Sequence, residues 1–473
     1  MRGAAAVTLL TLAGCSFGPS LGNEPFRCGT SPSECPPGYH CVADLCESSH
    51  PVADAGGGGA SPDARPPADA PPAGSCTAST TTCNGDNLVT CDSGGHATTV
   101  PCALGCNAAV SPAVCLTLSP SNLDASSCDR GPLLTGIAYP SGPTQVSTDD
   151  CTGGSVVAQA SAGPDLCVFH YSDITVPADA VVTFVGHRIP VLVATGSISL
   201  EGTIDVSAKG PRPGPGASGL ALVVRGASGD SGTGAGAGGG GHLTAGGSGG
   251  TAAGTSTSEA GGAAGGNPAL SPISGGGFGG IGGRPCVNLC PTPLDSRGGA
   301  GGGAIEMVGC QSLTIGAAAM INAGGGGGPG GDPPTVDKPP GGGDGGGAGG
   351  SILLEAPVLN LPSGATLVAN GGGGGGGGSR VASALAGGPG EDGAVVVKPA
   401  GGGASSAGKG GEGGTGGGAN GTSPPKPGGN GDSAGGGGGA AGRIRLNTRS
   451  GHATVASGVI TSPGPVQGSV AVH

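Results

Sequence analysis

The chain has 473 residues, 113 of them Gly and 42 Pro, so two residue types make up about a third of it, far above globular usage. Aromatic residues are 2%, Trp is absent and charged residues are 10%, which suits neither one large packed core nor a heavily charged disordered chain over the whole length. The net charge of −12 and the scarcity of rings for stacking argue against nucleic acid as a partner.

Residues 1–14 read as an export signal, in which Arg2 supplies the positive start and Ala4 to Leu12 a short apolar run. Its end, Leu12-Ala13-Gly14-Cys15, resembles the lipobox of bacterial lipoproteins. That resemblance implies lipidation of Cys15 and a membrane contact through the lipid. Ser16, standing where Asp would imply inner-membrane retention, implies an outer-membrane or cell-surface location. With Cys15 set aside, 16 of the 17 cysteines remain, an even number able to pair in an oxidising compartment. No later apolar run reaches transmembrane length.

After a tether at 15–27, residues 28–46 carry Cys28, Cys35, Cys41 and Cys46. This module is too short to bury a core and must rely on disulfides. It has no C-x2-C pair, which argues against zinc, and it resembles small extracellular repeats of the EGF or Dickkopf kind. Residues 47–75 alternate Pro, Ala and Asp and read as a semi-extended linker. Asp54, Asp63 and Asp69 are too widely spaced for a calcium loop.

A second Cys-rich module spans 76–128. Its Cys76, Cys83, Cys91, Cys102, Cys106 and Cys115 allow fifteen pairings, and Cys128 closes it. Cys151 lies in a connecting segment, 129–164, and Cys167 just beyond it. Cys286 and Cys290 suggest a local staple in a Pro-rich loop, and Cys310 is the last candidate for a disulfide.

From about residue 165 to 473 the expected fold class is mainly β. Leu166 to Val176, Ala180 to Val185, Ile189 to Ala194, Ser197 to Leu200 and Thr203 to Val206 have strand-like alternation, broken at Gly196 and Gly202. Short strands in succession without helical crossovers suit a parallel, right-handed β-solenoid with long Gly-rich insertions. A strand opening recurs as Gly219-LALVV, Gly303-AIEMV, Gly350-SILLE, Gly393-AVVVK and Gly442-RIRLN, at gaps of 84, 47, 43 and 49 residues, a period at which arrays are expected. The inserts, approximately 208–302, 324–350 and 371–441, are read as leaving from one corner.

Two states of these inserts are weighed. As coil, Gly has the most backbone entropy to lose, about 1 to 2 kcal/mol per residue on ordering. As parallel extended chains without Cβ, the inserts can pack in a polyglycine II-like manner, as Gly does at the axis of collagen.

Chemical motifs are weak. Gly-x-Gly-x-x-Gly matches are unavoidable in this composition and none continues as a P-loop. Gly428-Gly429-Asn430-Gly431-Asp432 reads as a turn, and the eight His residues have no paired spacing. His170 and His187 read as strand residues. Asp149 with Asp150, Glu201 with Asp205, and Glu306 with Glu355 are the carboxylate candidates for a polysaccharide enzyme. The recurrence of Glu306 and Glu355 at matching rungs reads as a solvated ladder. No catalytic, cofactor or metal residue is assigned.

Taken together, the lipobox, Cys modules, Asp-Pro-Ala linker and Gly-rich β repeats resemble the Gly-rich, PGRS-like surface lipoproteins of myxobacteria. The expected function is therefore a non-enzymatic structural or adhesive role at the cell surface, with matrix or cell-surface polysaccharide or protein as candidate partners. The alternatives are a polysaccharide lyase or hydrolase and a carbohydrate-binding protein.

Overall fold

A computed structural model describes residues 39–42, 45–48, 76–102, 104–129, 135–159, 163–217, 225–229, 233–254, 256, 258–284, 298–335, 338–380, 385–405 and 428–473. Cys15, Cys28, Cys35, Cys286 and Cys290 lie outside them, as does the Gly219-LALVV motif. The chain divides into two compact units, Met1–Pro72 and Ala73–His473, and the division falls inside the 47–75 linker.

In the first unit, β1 (Tyr39–Val42) and β2 (Leu45–Ser48) pair antiparallel, with Cys41 opposite Cys46. The second unit begins with an antiparallel sheet of β3 (Thr81–Asn84), β4 (Asn87–Cys91) and β5 (Ala97–Pro101), followed by a pair of β6 (Cys106–Asn107) and β7 (Val114–Cys115). Disulfides Cys76–Cys91, Cys83–Cys106 and Cys102–Cys115 staple these short pieces. Then come β8 (Leu118–Ser119) and a 3-10 turn, Ala125–Cys128.

The rest is dominated by three sheets that the chain visits in turn. It runs through β9 (Ile137–Ala138), β10 (Gly142–Ser147) and β11 (Ser155–Val157), then β12 (Leu166–Tyr171), β13 (Ile174–Val176) and β14 (Ala180–Val185). Next are β15 (Ile189–Ala194), β16 (Ser197–Leu200) and β17 (Thr203–Asp205), and after an insert β18 (Ala304–Gly309), β19 (Ser312–Ile315) and β20 (Met320–Asn322). A second insert leads to β21 (Ser351–Glu355), β22 (Leu359–Leu361) and β23 (Thr366–Val368). A third leads to β24 (Arg443–Thr448), β25 (Thr454–Val455), β26 (Ile460–Ser462), β27 (Val466–Ser469) and β28 (Ala471–Val472).

The first sheet has the order β11-β12-β15-β18-β21-β24-β27, the second β9-β13-β16-β19-β22-β25, and the third β10-β14-β17-β20-β23-β26. All neighbours are parallel except β11 with β12. The unit is thus mainly β with parallel sheets, and no α-helix occurs among the described residues. The sheets begin earlier than residue 165, because β9 and β10 already pair with β13 and β14.

Register explains why these short strands hold. Ile174, Ile198, Leu313 and Leu359 stand opposite one another along the second sheet. Val182, Ile204, Ile321 and Leu367 do so along the third, and Leu192, Met307, Leu354 and Leu446 along the first. All twelve belong to one buried cluster. Alternation along β14, where Ala180, Val182 and Phe184 are buried and Val181 is exposed, puts one face inward.

The middle of the first sheet is buried on both faces, so β15, β18 and β21 are covered throughout, whereas the edge strands β11 and β27 are largely exposed. Its outer face, with Val191, Val193, Val308 and Leu353, packs against Leu104, Leu118, Leu270 and Ile273.

Two expected strand residues or motifs fall elsewhere. Gly393-AVVVK forms no strand, and Val395, Val396 and Val397 are 43%, 45% and 44% exposed. At that level of the first sheet the places beside β21 are already taken by β18 and β24. His170 lies in β12, but His187 falls in the turn between β14 and β15, held by Asp149.

Candidate functional site

The described parts of the inserts leave from a single corner. Residues 206–303, 323–350 and 369–442 each join a strand of the third sheet to the next strand of the first. Their limbs continue the sheet ladders outward. Ala323 donates to Val368 and Gly325 to Asn370, two residues apart as in a strand. Beyond them Gly328 donates to Gly373 and Gly331 to Gly376, three residues apart. The backbone changes its hydrogen-bond period from two to three as it leaves the sheet.

That threefold period is complete along 342–350. Gly343, Gly346 and Gly349 donate to Ala434, Gly437 and Ala440; Gly342, Gly345 and Ala348 to Gly283, Gly280 and Gly277; Asp344, Gly347 and Gly350 to Pro329, Gly326 and Ala323. One limb is therefore bonded to three separate segments, each addressed by every third residue. Composition follows from the spacing: a Cβ on Gly345 would stand 2.0 Å from the Gly238 carbonyl oxygen, and one on Gly347 would stand 1.9 Å from that of Ala300. The obstructing atoms are backbone and have no rotamer to move to.

Few side chains enter this array. Asp344 is buried, and its Oδ1 accepts the Gly282 N–H at 2.6 Å, in the place of a backbone carbonyl. Burial pushes its carboxyl up to about 7. At the inner margin His242 is fully buried with Nε2 3.4 Å from Ser351 Oγ, and burial, followed by the Arg443 charge, lowers the imidazole to about 3.

On the outer face of the first sheet, residues 116–129 form a strap. It is fastened by the Cys128–Cys310 disulfide and by pairing of β8 with β28. Beneath it lie Glu306 and Glu355, both 0% exposed. The expectation of a solvated ladder is corrected here: the two carboxyls point to the face that the strap covers. Ser121 donates its N–H to Glu355 Oε2 at 2.9 Å and its hydroxyl to Oε1 at 2.6 Å, while Asn447 Nδ2 donates to Oε1 at 2.7 Å. Asn122 Nδ2 donates to Glu306 Oε2 and to the Leu270 carbonyl, each at 2.9 Å. A cleft of about 330 Å³ beside the strap is lined by Ser121, Asn122, Asp124, Gln159 and Ser271 among others. Gln159 and Ser271 are engaged with neighbouring backbone there.

At the end of the strap, Ser119 Oγ is 2.8 Å from His473 Nδ1, and Asp129 Oδ2 is 3.0 Å from Nε2. Thr117 Oγ1 approaches the same Nε2 at 3.1 Å. Sequence reading did not find this row, because its members are 354 and 344 positions apart. Thr117 and His473 also exchange both backbone hydrogen bonds, so the row fastens His473, just after β28, to the strap.

The other carboxylate candidates do not converge. Asp149 holds the His187 N–H and ring, and Asp205 pairs with Lys209 and accepts from Asn322. Among the described residues no three His, Cys, Asp or Glu side chains are grouped as metal ligands, and no helix is long and apolar enough to cross a membrane. No protein-family model matches the chain, and no match was found among curated proteins or solved structures.

Proposed function

We propose that the protein is a lipid-anchored surface component of a cell envelope, with a structural or adhesive role, in which a β-solenoid supports a polyglycine II-like slab. The observation that carries this reading is the common corner: three inserts leave between the same two sheets and bond to one another with a period of three. A slab of backbone with little side-chain chemistry suits contact and display better than turnover. The solenoid reading rests on the cyclic visiting of three sheets with aligned apolar positions. The anchor rests on Leu12-Ala13-Gly14-Cys15.

A polysaccharide-cleaving enzyme is the competing reading. It needs two carboxyl groups open to a sugar chain, whereas Glu306 and Glu355 are covered. The test is incubation of the purified mature protein with envelope and matrix polysaccharides. Binding to cells or polymer without released reducing ends is the expected result. Turnover lost in Glu306→Gln or Glu355→Gln overturns the proposal. Mass spectrometry of the mature amino terminus, with Cys15→Ala as control, tests the anchor: an unmodified terminus beginning after Cys15 removes it.

A further inference from the structure

Glu306 of β18 and Glu355 of β21 lie diagonally across adjacent strands, since Glu306 is opposite Leu353 and Glu355 opposite Val308. Two carboxylates buried side by side on adjacent strands repel one another and burial disfavours ionising both, so a proton or a cation must neutralise one of them. The donors are unequally divided. Glu355 receives three, from the Ser121 N–H, the Ser121 hydroxyl and Asn447 Nδ2. Glu306 receives the Asn122 side-chain amide on Oε2, with the Asn122 N–H also acting on the carboxyl, while its buried Oε1 has no donor in reach other than Glu355 itself. The unequal division of donors favours a proton on Glu306. The atoms that touch the carboxyl oxygens, from Ser121, Asn122 and Asn447 Nδ2, are donors, which suits a proton better than a hard cation; Asn447 Oδ1 is a neighbouring buried oxygen without a partner, so a cation is one outcome of the test.

We infer that Glu306 is held as the neutral acid, donating from Oε1 to the Glu355 carboxylate, and that this shared proton latches the strap onto the first sheet, so that its loss as pH rises loosens the strap. Burial first, and the Glu355 charge second, raise the Glu306 carboxyl well above its ordinary value. The groups facing the pair are Asn122 and Ser121 from the strap and Asn447 from β24. Glu355 is the charged group acting on Glu306, and on the same face Arg445 of β24 stands in register with Leu353, the residue opposite Glu306. The disulfide at Cys128 and the β8 pairing remain when the latch opens, so loosening is confined to the residues between them.

The sign follows from linkage. The closed strap holds one more proton than the open one between the ordinary glutamate value of 4.5 and the raised folded value, so opening is favoured about tenfold per pH unit across that window. The Ser121 amide reports it directly, because it donates to Glu355. Its hydrogen exchange in the full chain, corrected for the intrinsic base-catalysed rate, is expected to quicken about tenfold per pH unit and to lose this dependence in Glu306→Gln, whose amide is a permanent donor. A second readout does not need that variant to fold: in Asp344→Asn protein, which lacks the other buried carboxyl with a raised value among the described residues, the infrared band of a neutral carboxyl should persist at neutral pH. Equal pH dependence of Ser121 exchange in wild type and Glu306→Gln overturns the inference, as does absence of the infrared band. Calcium that slows Ser121 exchange in the wild type and abolishes the band overturns it too, by making a cation the neutraliser.

Discussion

Gly347 shows what single residues contribute to the array. A Cβ there would stand 1.9 Å from the Ala300 carbonyl oxygen, and the backbone that would have to give way is bonded on three sides. Gly347→Ala is expected to destabilise the array by about 1 to 3 kcal/mol, the usual cost of overpacking. Gly464→Ala, where nothing lies within 4 Å of the new Cβ, should stay within about 0.5 kcal/mol; comparing the urea midpoints of the two variants checks both. Asp344 makes a pH prediction. Its folded value of about 7 is raised from 3.8, so its contribution is fully present below pH 4 and is lost as pH climbs through 7, by roughly 4 kcal/mol in total. Asp344→Asn retains an oxygen for the Gly282 N–H and should flatten the melting temperature over that range. An unchanged pH dependence would show that the group titrates normally.

At the level of elements, what ties the strap to the sheets is sequence separation. Cys128–Cys310 closes 182 positions and Cys102–Cys115 only 13, so in the chain-entropy model the first contributes about 5 kcal/mol and the second about 3. Replacing both cysteines of the long bridge by Ser should therefore lower stability by about 2 kcal/mol more than the same change in the short one. Equal losses in equilibrium unfolding would mean that other contacts already constrain the strap in the unfolded chain. The same separation explains what was legible in the sequence. β12 to β17 were readable because their apolar alternation is local, and β18, β21 and β24 because their Gly-led openings repeat. β10, Gly-Pro-Thr-Gln-Val-Ser, was not, because it is a strand by virtue of pairing with β14. Gly393-AVVVK failed in the opposite sense: it has the pattern of a strand with no ladder to join. The covering of Glu306 and Glu355 depends on Asn122 and Ser121, 184 and 234 positions away respectively, and no local pattern announces it.

For the whole molecule, the balance between coil and order in the inserts is decided by the sheets. Ordering a Gly residue costs about 1 to 2 kcal/mol, and one net hydrogen bond returns about 0.5 to 1.5, so an isolated Gly limb is marginal at best. Here the limbs start in register, because β20 and β23 deliver their chains side by side, as do β21 and β24. Each limb then meets several others that are fixed in the same way, and the entropy of bringing the chains together has been met by the apolar stack within the sheets. Order in the array should consequently depend on the sheets, whereas the sheets should not depend on the array. Hydrogen exchange of the intact protein separates the two directions. Amides of 342–350 are expected to be protected nearly as well as those of β21. In Gly347→Ala they should exchange faster while Ile198, Leu200 and Ile204 keep their protection. In Leu313→Ala, a cavity in the shared core costing about 2 to 5 kcal/mol, sheets and array should lose protection together. Immediate exchange of 342–350 in the wild type would return the inserts to coil, and an array that survives Leu313→Ala while the sheets open would show that the glycine chains hold one another without the strands that deliver them.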